Sequence, residues 1–104
     1  MKIIDVTLRD GGFVNDFNWD LKQAKSHVNA MADIGVHIIE LGYWKQTEKS
    51  SNPFYNMDEN TLVFLTDNLD STIVVAVMID FSYCSKNIED YPKLGDTKLQ
   101  LIRV

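Results

Sequence analysis

The sequence predicts an α/β fold, and three observations carry that prediction. Residues 72 to 79, "TIVVAVMI", form a nearly unbroken β-branched run, as expected of a parallel strand buried on both faces. Three further apolar runs of strand length lie at Lys2 to Leu8, Val36 to Leu41 and Leu99 to Val104. Amphipathic helical patterns separate the runs, and strands that alternate with helices imply parallel pairing through right-handed crossovers.

Taken in order, the first strand, Lys2 to Leu8, gives way to a loop, "GGFVNDFN". A helix then begins near Asn18, a residue able to cap it. Leu21, Ala24, Val28, Met31 and Ile34 recur at helical spacing, and Gly35 is placed as the C-terminal stop. The second strand, "VHIIEL", is followed by "GYWKQTEKSSNPFYNM", whose Ser, Asn and Pro content predicts a loop without regular structure. A second helix spans about Asp58 to Asn68 and feeds the third strand. "SKNIEDY" reads as a short helical turn before the fourth strand, "LQLIRV".

Two architectures satisfy this order. A doubly wound sheet places helices on both faces, whereas strands in the order 1-2-3-4 place every helix on one face, as in part of a (β/α)8 barrel. Side chains alternate along a strand, so Asp5, Thr7 and Arg9 are expected on one face and Ile4, Val6 and Leu8 on the other, the aliphatic set meeting the helices. The same rule puts Ile38, Glu40 and Gly42 together, with Glu40 on the side of Arg9. Two charges on the helix-free face near the strand ends are costly unless they pair or serve a site. That end of the strands is where barrel enzymes keep their chemistry.

With 104 residues, of which 45% are hydrophobic, the chain has the size of one domain spanning residues 1–104. A net charge of −5 with scattered lysines argues against a nucleic-acid partner, since such binders carry a basic face. The sequence has no apolar run long enough for a membrane span and no leader pattern. Its single cysteine, Cys84, cannot form an internal disulfide, and the expected compartment is the cytoplasm.

The residues "TLRDGG" at 7 to 12 and "IIELG" at 38 to 42 resemble the start of the DRE-type metallolyase barrels, the metal-dependent aldolase and Claisen-condensation family. That family includes 4-hydroxy-2-oxovalerate aldolase and hydroxymethylglutaryl-CoA lyase. The resemblance extends along the chain to "IRV" in the fourth strand, and "TLRDG" after a strand is its most specific part. It implies the amino-terminal half of a (β/α)8 TIM barrel and a carbon–carbon lyase acting on a 2-oxo acid, with release of pyruvate or related Claisen-type chemistry.

Residue by residue, the resemblance implies that Asp10 ligates a divalent cation, Mn²⁺ or Mg²⁺, for which a hard carboxylate oxygen is suited. It implies that Arg9 stabilises the enolate oxygen and that Glu40 orients Arg9 or helps to move protons. Gly11 and Gly12 would let the backbone turn sharply against the 2-oxo carboxylate. Tyr43 would contribute to a substrate wall, with Trp44 and Lys45 beside it, although packing explains such aromatics equally well.

The sequence departs from the family in two places. Phe13 occupies the neighbourhood where the aldolase branch has its histidine base, so either the base lies elsewhere or the chemistry differs. The family's His-x-His metal ligands are absent, and His27 and His37 read as structural or surface residues. Asp80 ends the third strand near the same mouth, Cys84 has no partner that would make it a nucleophile, and residues 46 to 56 read as a mobile loop or lid. A whole barrel takes about 250 residues, so the chain is expected to supply the first half, to be inactive by itself, and to self-associate through the uncovered inner face. Two other readings stay open: a small α/β binding or interaction module in which Arg9, Asp10 and Glu40 form a structural ion network, and a degenerate aldolase relative that binds ligand without turnover.

Overall fold

The structure, a computed structural model, describes residues 2–11, 18–44, 53–54, 57–79 and 99–103. Four parallel strands, β1 (Ile4–Asp5), β2 (Ile38–Tyr43), β3 (Val74–Met78) and β4 (Leu99–Arg103), pair in the order β1-β2-β3-β4. Among the described residues the helices are α1 (Thr7–Asp10), α2 (Leu21–Asp33) and α3 (Glu59–Thr66). The α/β class and the strand order are those expected from the sequence. Among the described residues, no helix is long and apolar enough to cross a membrane.

Local chemistry explains where α2 and α3 begin and end. Asp20 caps α2 by accepting from the Gln23 amide at 3.2 Å, and Asp58 caps α3 by accepting from the Thr61 amide at 2.7 Å. The first cap is therefore Asp20, two residues beyond the expected Asn18. At the other end of α2, Gly35 takes φ +92°, a value that side chains disfavour. Its amide donates to the Ala32 carbonyl and that of Val36 to Met31, the paired bonds of a Schellman cap.

The core lies between the sheet and these two helices. Ile39, Leu41, Val75, Val77 and Leu99 from the strands cluster with Ala24 and Val28 of α2 and Leu62 and Leu65 of α3. The helices α2 and α3 also touch one another. Lys25 of α2 ties them by donating to the Phe64 carbonyl at 2.6 Å and to the Asp67 carboxylate, with its ammonium 4.6 Å from the centre of the Phe64 ring.

The amino-terminal segment differs from its expected form. Instead of a strand from Lys2 to Leu8, only Ile4 and Asp5 pair with β2, and the chain then winds into the helical turn α1, with the Gly11 amide donating to the Thr7 carbonyl at 2.8 Å. The expected sidedness also fails. Asp5 stands beside Ile39 of the core face, and its carboxylate pairs with His27 of α2 at 2.9 Å while accepting from the Thr7 hydroxyl at 2.7 Å. Ile4 and Ile3 are 39% and 53% exposed. An imidazole and a hydroxyl satisfy the carboxylate on the helix side, so the polar residue and not the aliphatic one faces α2.

Two other boundaries move. Gly42 and Tyr43 belong to β2 and not to the loop after it. Trp44 then forms an isolated parallel bridge with Met57, so the stretch read as structureless is bridged near its two ends. The expected turn at 85 to 91 lies outside the described residues.

Candidate functional site

The site is built where α1 leans on β2. Arg9 projects from the helical turn beyond the carboxyl end of β1, and its Nε donates to Oε1 of Glu40 at 2.6 Å. Glu40 is 0% exposed and Arg9 14%. A carboxylate this deep in the sheet carries a large desolvation cost, which a short, charge-assisted hydrogen bond offsets. Burial opposes the charge on Arg9, but its hydrogen bonds and attraction to Glu40 and Tyr43 outweigh that effect. The net result holds the guanidinium pKa above its ordinary value.

Tyr43 reaches this pair because β2 is irregular. Glu40 lies opposite Ala76 and Tyr43 opposite Met78, so three steps along β2 match two along β3. One extra residue is accommodated between them, which is a β-bulge. Ala76 and Met78 share a face of β3, and the bulge therefore brings Glu40 and Tyr43 to a common face, where regular alternation would separate them.

Gly42 lies inside this irregularity and is required for space. A Cβ there would stand 2.3 Å from the Phe54 carbonyl oxygen, which accepts from the Tyr43 amide at 2.9 Å. Trp44 donates its amide to Met78, and Met57 donates to the Tyr43 carbonyl. The end of β2 is thus fixed from two sides, and Tyr43, Trp44, Phe54 and Met57 are all buried.

On the other flank, Trp19 supports the Arg9 turn by donating its indole N–H to the Leu8 carbonyl at 3.0 Å. Gly11 closes that turn in a right-handed conformation with φ −64°, so it does not exploit glycine's left-handed freedom as expected. Its need is again for space: a Cβ would lie 2.5 Å from the Thr7 carbonyl and 3.4 Å from the Trp19 ring.

Of the residues singled out in the sequence, Arg9, Glu40 and Tyr43 converge, and Gly11 shapes the turn that carries Arg9. They do so by a different route from the one expected, since Arg9 arrives from a helical turn and not by strand alternation. Asp10 ends α1, with its side chain outside the described residues, as are Gly12, Phe13, Lys45, Asp80 and Cys84. His27 is held by Asp5, and His37 accepts from the Ile3 amide at 3.0 Å, both structural pairings. Trp19, Gly42 and Phe54 were missed as supports. Only Gly42 left a signal, as an isolated glycine at the end of a strand pattern, which marks a bulge or a close backbone approach.

Among the described residues, no group of three or more His, Cys, Asp or Glu side chains stands close enough together to hold a metal ion. Glu40 is committed to Arg9, so the described residues do not by themselves fit the divalent cation that the family resemblance implies. A cleft of about 520 Å³, lined by Asn29, Asp33, Asn68, Asp70, Thr72 and Ile73 among others, opens beside the residues that lead into β3. It is therefore at the opposite end of the sheet from Arg9, the end associated in barrels with stability.

Chemically, the arrangement presents a planar cation whose direction is fixed by a buried carboxylate. Such a group suits an oxyanion or a carboxylate. Comparisons with family models, curated proteins and solved structures return no match for this chain.

Proposed function

We propose that the chain is the amino-terminal half of a (β/α)8 barrel that cleaves a carbon–carbon bond in a 2-oxo acid, with Arg9 stabilising the enolate that results. The observation that carries the proposal is the Arg9–Glu40 pair beside the carboxyl end of β1, formed by the two residues that the "TLRDGG" and "IIELG" motifs nominate. The parallel order β1-β2-β3-β4 and the core that α2 and α3 share with the sheet also support it.

In retro-aldol cleavage of a 4-hydroxy-2-oxo acid, the hydroxyl loses its proton and becomes the aldehyde carbonyl. The electron pair of the C3–C4 bond passes into an enolate, which takes a proton at C3 to become pyruvate. Arg9, oriented by Glu40, meets the charge that grows on the C2 oxygen, and a preorganised cation at that atom is often the largest catalytic contribution. The base that accepts the hydroxyl proton is outside this set of residues. Mn²⁺ or Mg²⁺ at Asp10 remains part of the proposal, with its other ligands expected beyond this chain. The same reading has the inner face of the sheet, where Ile4, Ile38 and Val74 lie side by side, associate with a second copy when the other half of the barrel is absent.

A rival reading rests on the same burial. A fully enclosed Glu40 paired with Arg9 is also what a structural ion network in a small α/β binding module would look like. Pyruvate release from a 4-hydroxy-2-oxo acid separates the two when it is measured on the protein that carries this unit with its remaining strands. The proposal expects release that depends on Mn²⁺ and is abolished by Asp10→Asn. Absence of release, or full activity in the variant, overturns it.

A further inference from the structure

We infer that Trp19 is a positioning residue for Arg9: its indole grips the peptide unit that leads into Arg9 and ties that unit to the start of α2. The inference rests on the reading of Arg9 given above for what the cation does, and on the geometry of Trp19 for how the cation is placed.

The peptide supplies the first step. The Trp19 indole N–H donates to the Leu8 carbonyl at 3.0 Å. That carbonyl belongs to the same planar unit as the Arg9 amide, so fixing one end of the plane fixes the other. The Leu8 side chain, 1% exposed, anchors the same residue in the core. Further along the turn, the Gly11 amide closes on the Thr7 carbonyl at 2.8 Å, and the Trp19 ring lies beside Gly11, its Cζ2 3.4 Å from where a Cβ would stand. Trp19 thus meets the turn on either side of Arg9 in the sequence.

The second step is what holds Trp19. It immediately precedes Asp20, whose carboxylate accepts from the Gln23 amide at 3.2 Å and whose carbonyl accepts from the Ala24 amide at 2.8 Å. Trp19 is therefore built onto the capped end of a 13-residue helix, and its ring packs against the core. By contrast, α1 has only four residues, and Val6 at its cap position has no side-chain oxygen to offer. So short a helix has little stability of its own. The strut from α2 gives it an orientation that its length cannot. Orientation matters for an arginine that must meet charge at one atom, because small misplacements cost large factors in rate.

The test uses Trp19→Phe, which keeps an aromatic ring and removes the N–H. By nuclear magnetic resonance on the unmodified 104-residue chain, the Trp19 indole N–H is expected to exchange with solvent about tenfold more slowly than a free indole, the order of one hydrogen bond. In the variant, exchange of the Arg9 Nε–H is expected to rise about three- to tenfold relative to the amides of Ile39 and Val75, again the range of one hydrogen bond. In the protein that carries this unit with its remaining strands, Trp19→Phe is expected to lower kcat for pyruvate release about tenfold with KM unchanged. Combined with Arg9→Lys it should cause no further loss, since a residue that acts through Arg9 then has nothing left to position. General support of the fold would instead cost the same factor in both backgrounds, and that result overturns the inference. Rapid indole exchange in the unmodified chain overturns it even if the variant fails to fold, and so does a folded variant whose Arg9 exchange rises no more than that of Ile39 and Val75. If the wild-type protein releases no pyruvate, the lyase proposal falls and the exchange measurements alone decide the role of Trp19.

Discussion

The Arg9 guanidinium and the Glu40 carboxylate, 31 residues apart in sequence, meet at 2.6 Å across the junction of α1 and β2, the acid fully enclosed and the base nearly so. The two partners are therefore unequal in what their loss would expose. Removing the arginine strands a charge with no route to water, whereas removing the acid leaves a cation with some exposure.

That inequality predicts an asymmetric pair of variants. Arg9→Met should destabilise the fold by about 3–5 kcal/mol, the usual cost of an uncompensated buried charge. Glu40→Gln, which keeps the shape and a neutral acceptor, should cost about 1–3 kcal/mol. Urea unfolding of both variants measures the difference, and equal losses would show that Glu40 is better hydrated than its burial indicates.

The pH dependence follows from the direction of the shift on Arg9. Its pKa is raised above the ordinary value, first against the burial that opposes its charge and then through Glu40 and Tyr43. A raised basic group contributes stability that is fully present below its unfolded value and lost as pH rises through its folded value. Both lie far into the alkaline range. From about pH 6 to 9, then, the stabilising effect of Arg9's own ionisation should be constant. Urea midpoints of wild type and Arg9→Lys, compared across that range, check it: the gap between them should stay level.

Gly42 and Gly35 should respond differently to alanine. At Gly42 the added Cβ would collide with the Phe54 backbone 2.3 Å away and displace the bulge. The expected cost is about 1–3 kcal/mol, together with faster exchange of the Tyr43 amide. Gly35 has open space around it but φ +92°, so alanine there should cost about 1 kcal/mol through backbone strain alone, with β2 unchanged. Amide exchange by nuclear magnetic resonance distinguishes the two.

The exposed aliphatics give a prediction on association. Ile4 is exposed on the edge strand beside Ile38, and Ile4→Lys should shift the chain toward monomer in sedimentation velocity at micromolar concentration. The same distribution in both proteins would remove this face from any self-association.

The sequence made the fold class and strand order legible because "TIVVAVMI" and the spacing of Leu21, Ala24, Val28 and Met31 are long, periodic signals that tertiary contacts reinforce. The start of the chain was less legible. Alternation over Lys2 to Leu8 suggested a strand that would carry Arg9 to its end, but pairing stops at Asp5, where local hydrogen bonds to Thr7 and His27 compete with extension. Arg9 and Glu40 were paired correctly because both readings place Arg9 just beyond β1. Tyr43's reversal depends on one inserted residue, and period-2 reasoning contains no term for a bulge except the glycine that precedes it.

The central claim is that Arg9, aimed by Glu40, stabilises an enolate. The measurement that tests it most directly is the turnover number for pyruvate release from a 4-hydroxy-2-oxo acid, in the protein that carries this unit with its remaining strands, for wild type and Arg9→Lys. Lysine keeps the positive charge but loses the planar fork, and the expected result is a fall of about 10²–10³ in kcat. Turnover in Arg9→Lys equal to that of wild type would contradict the claim.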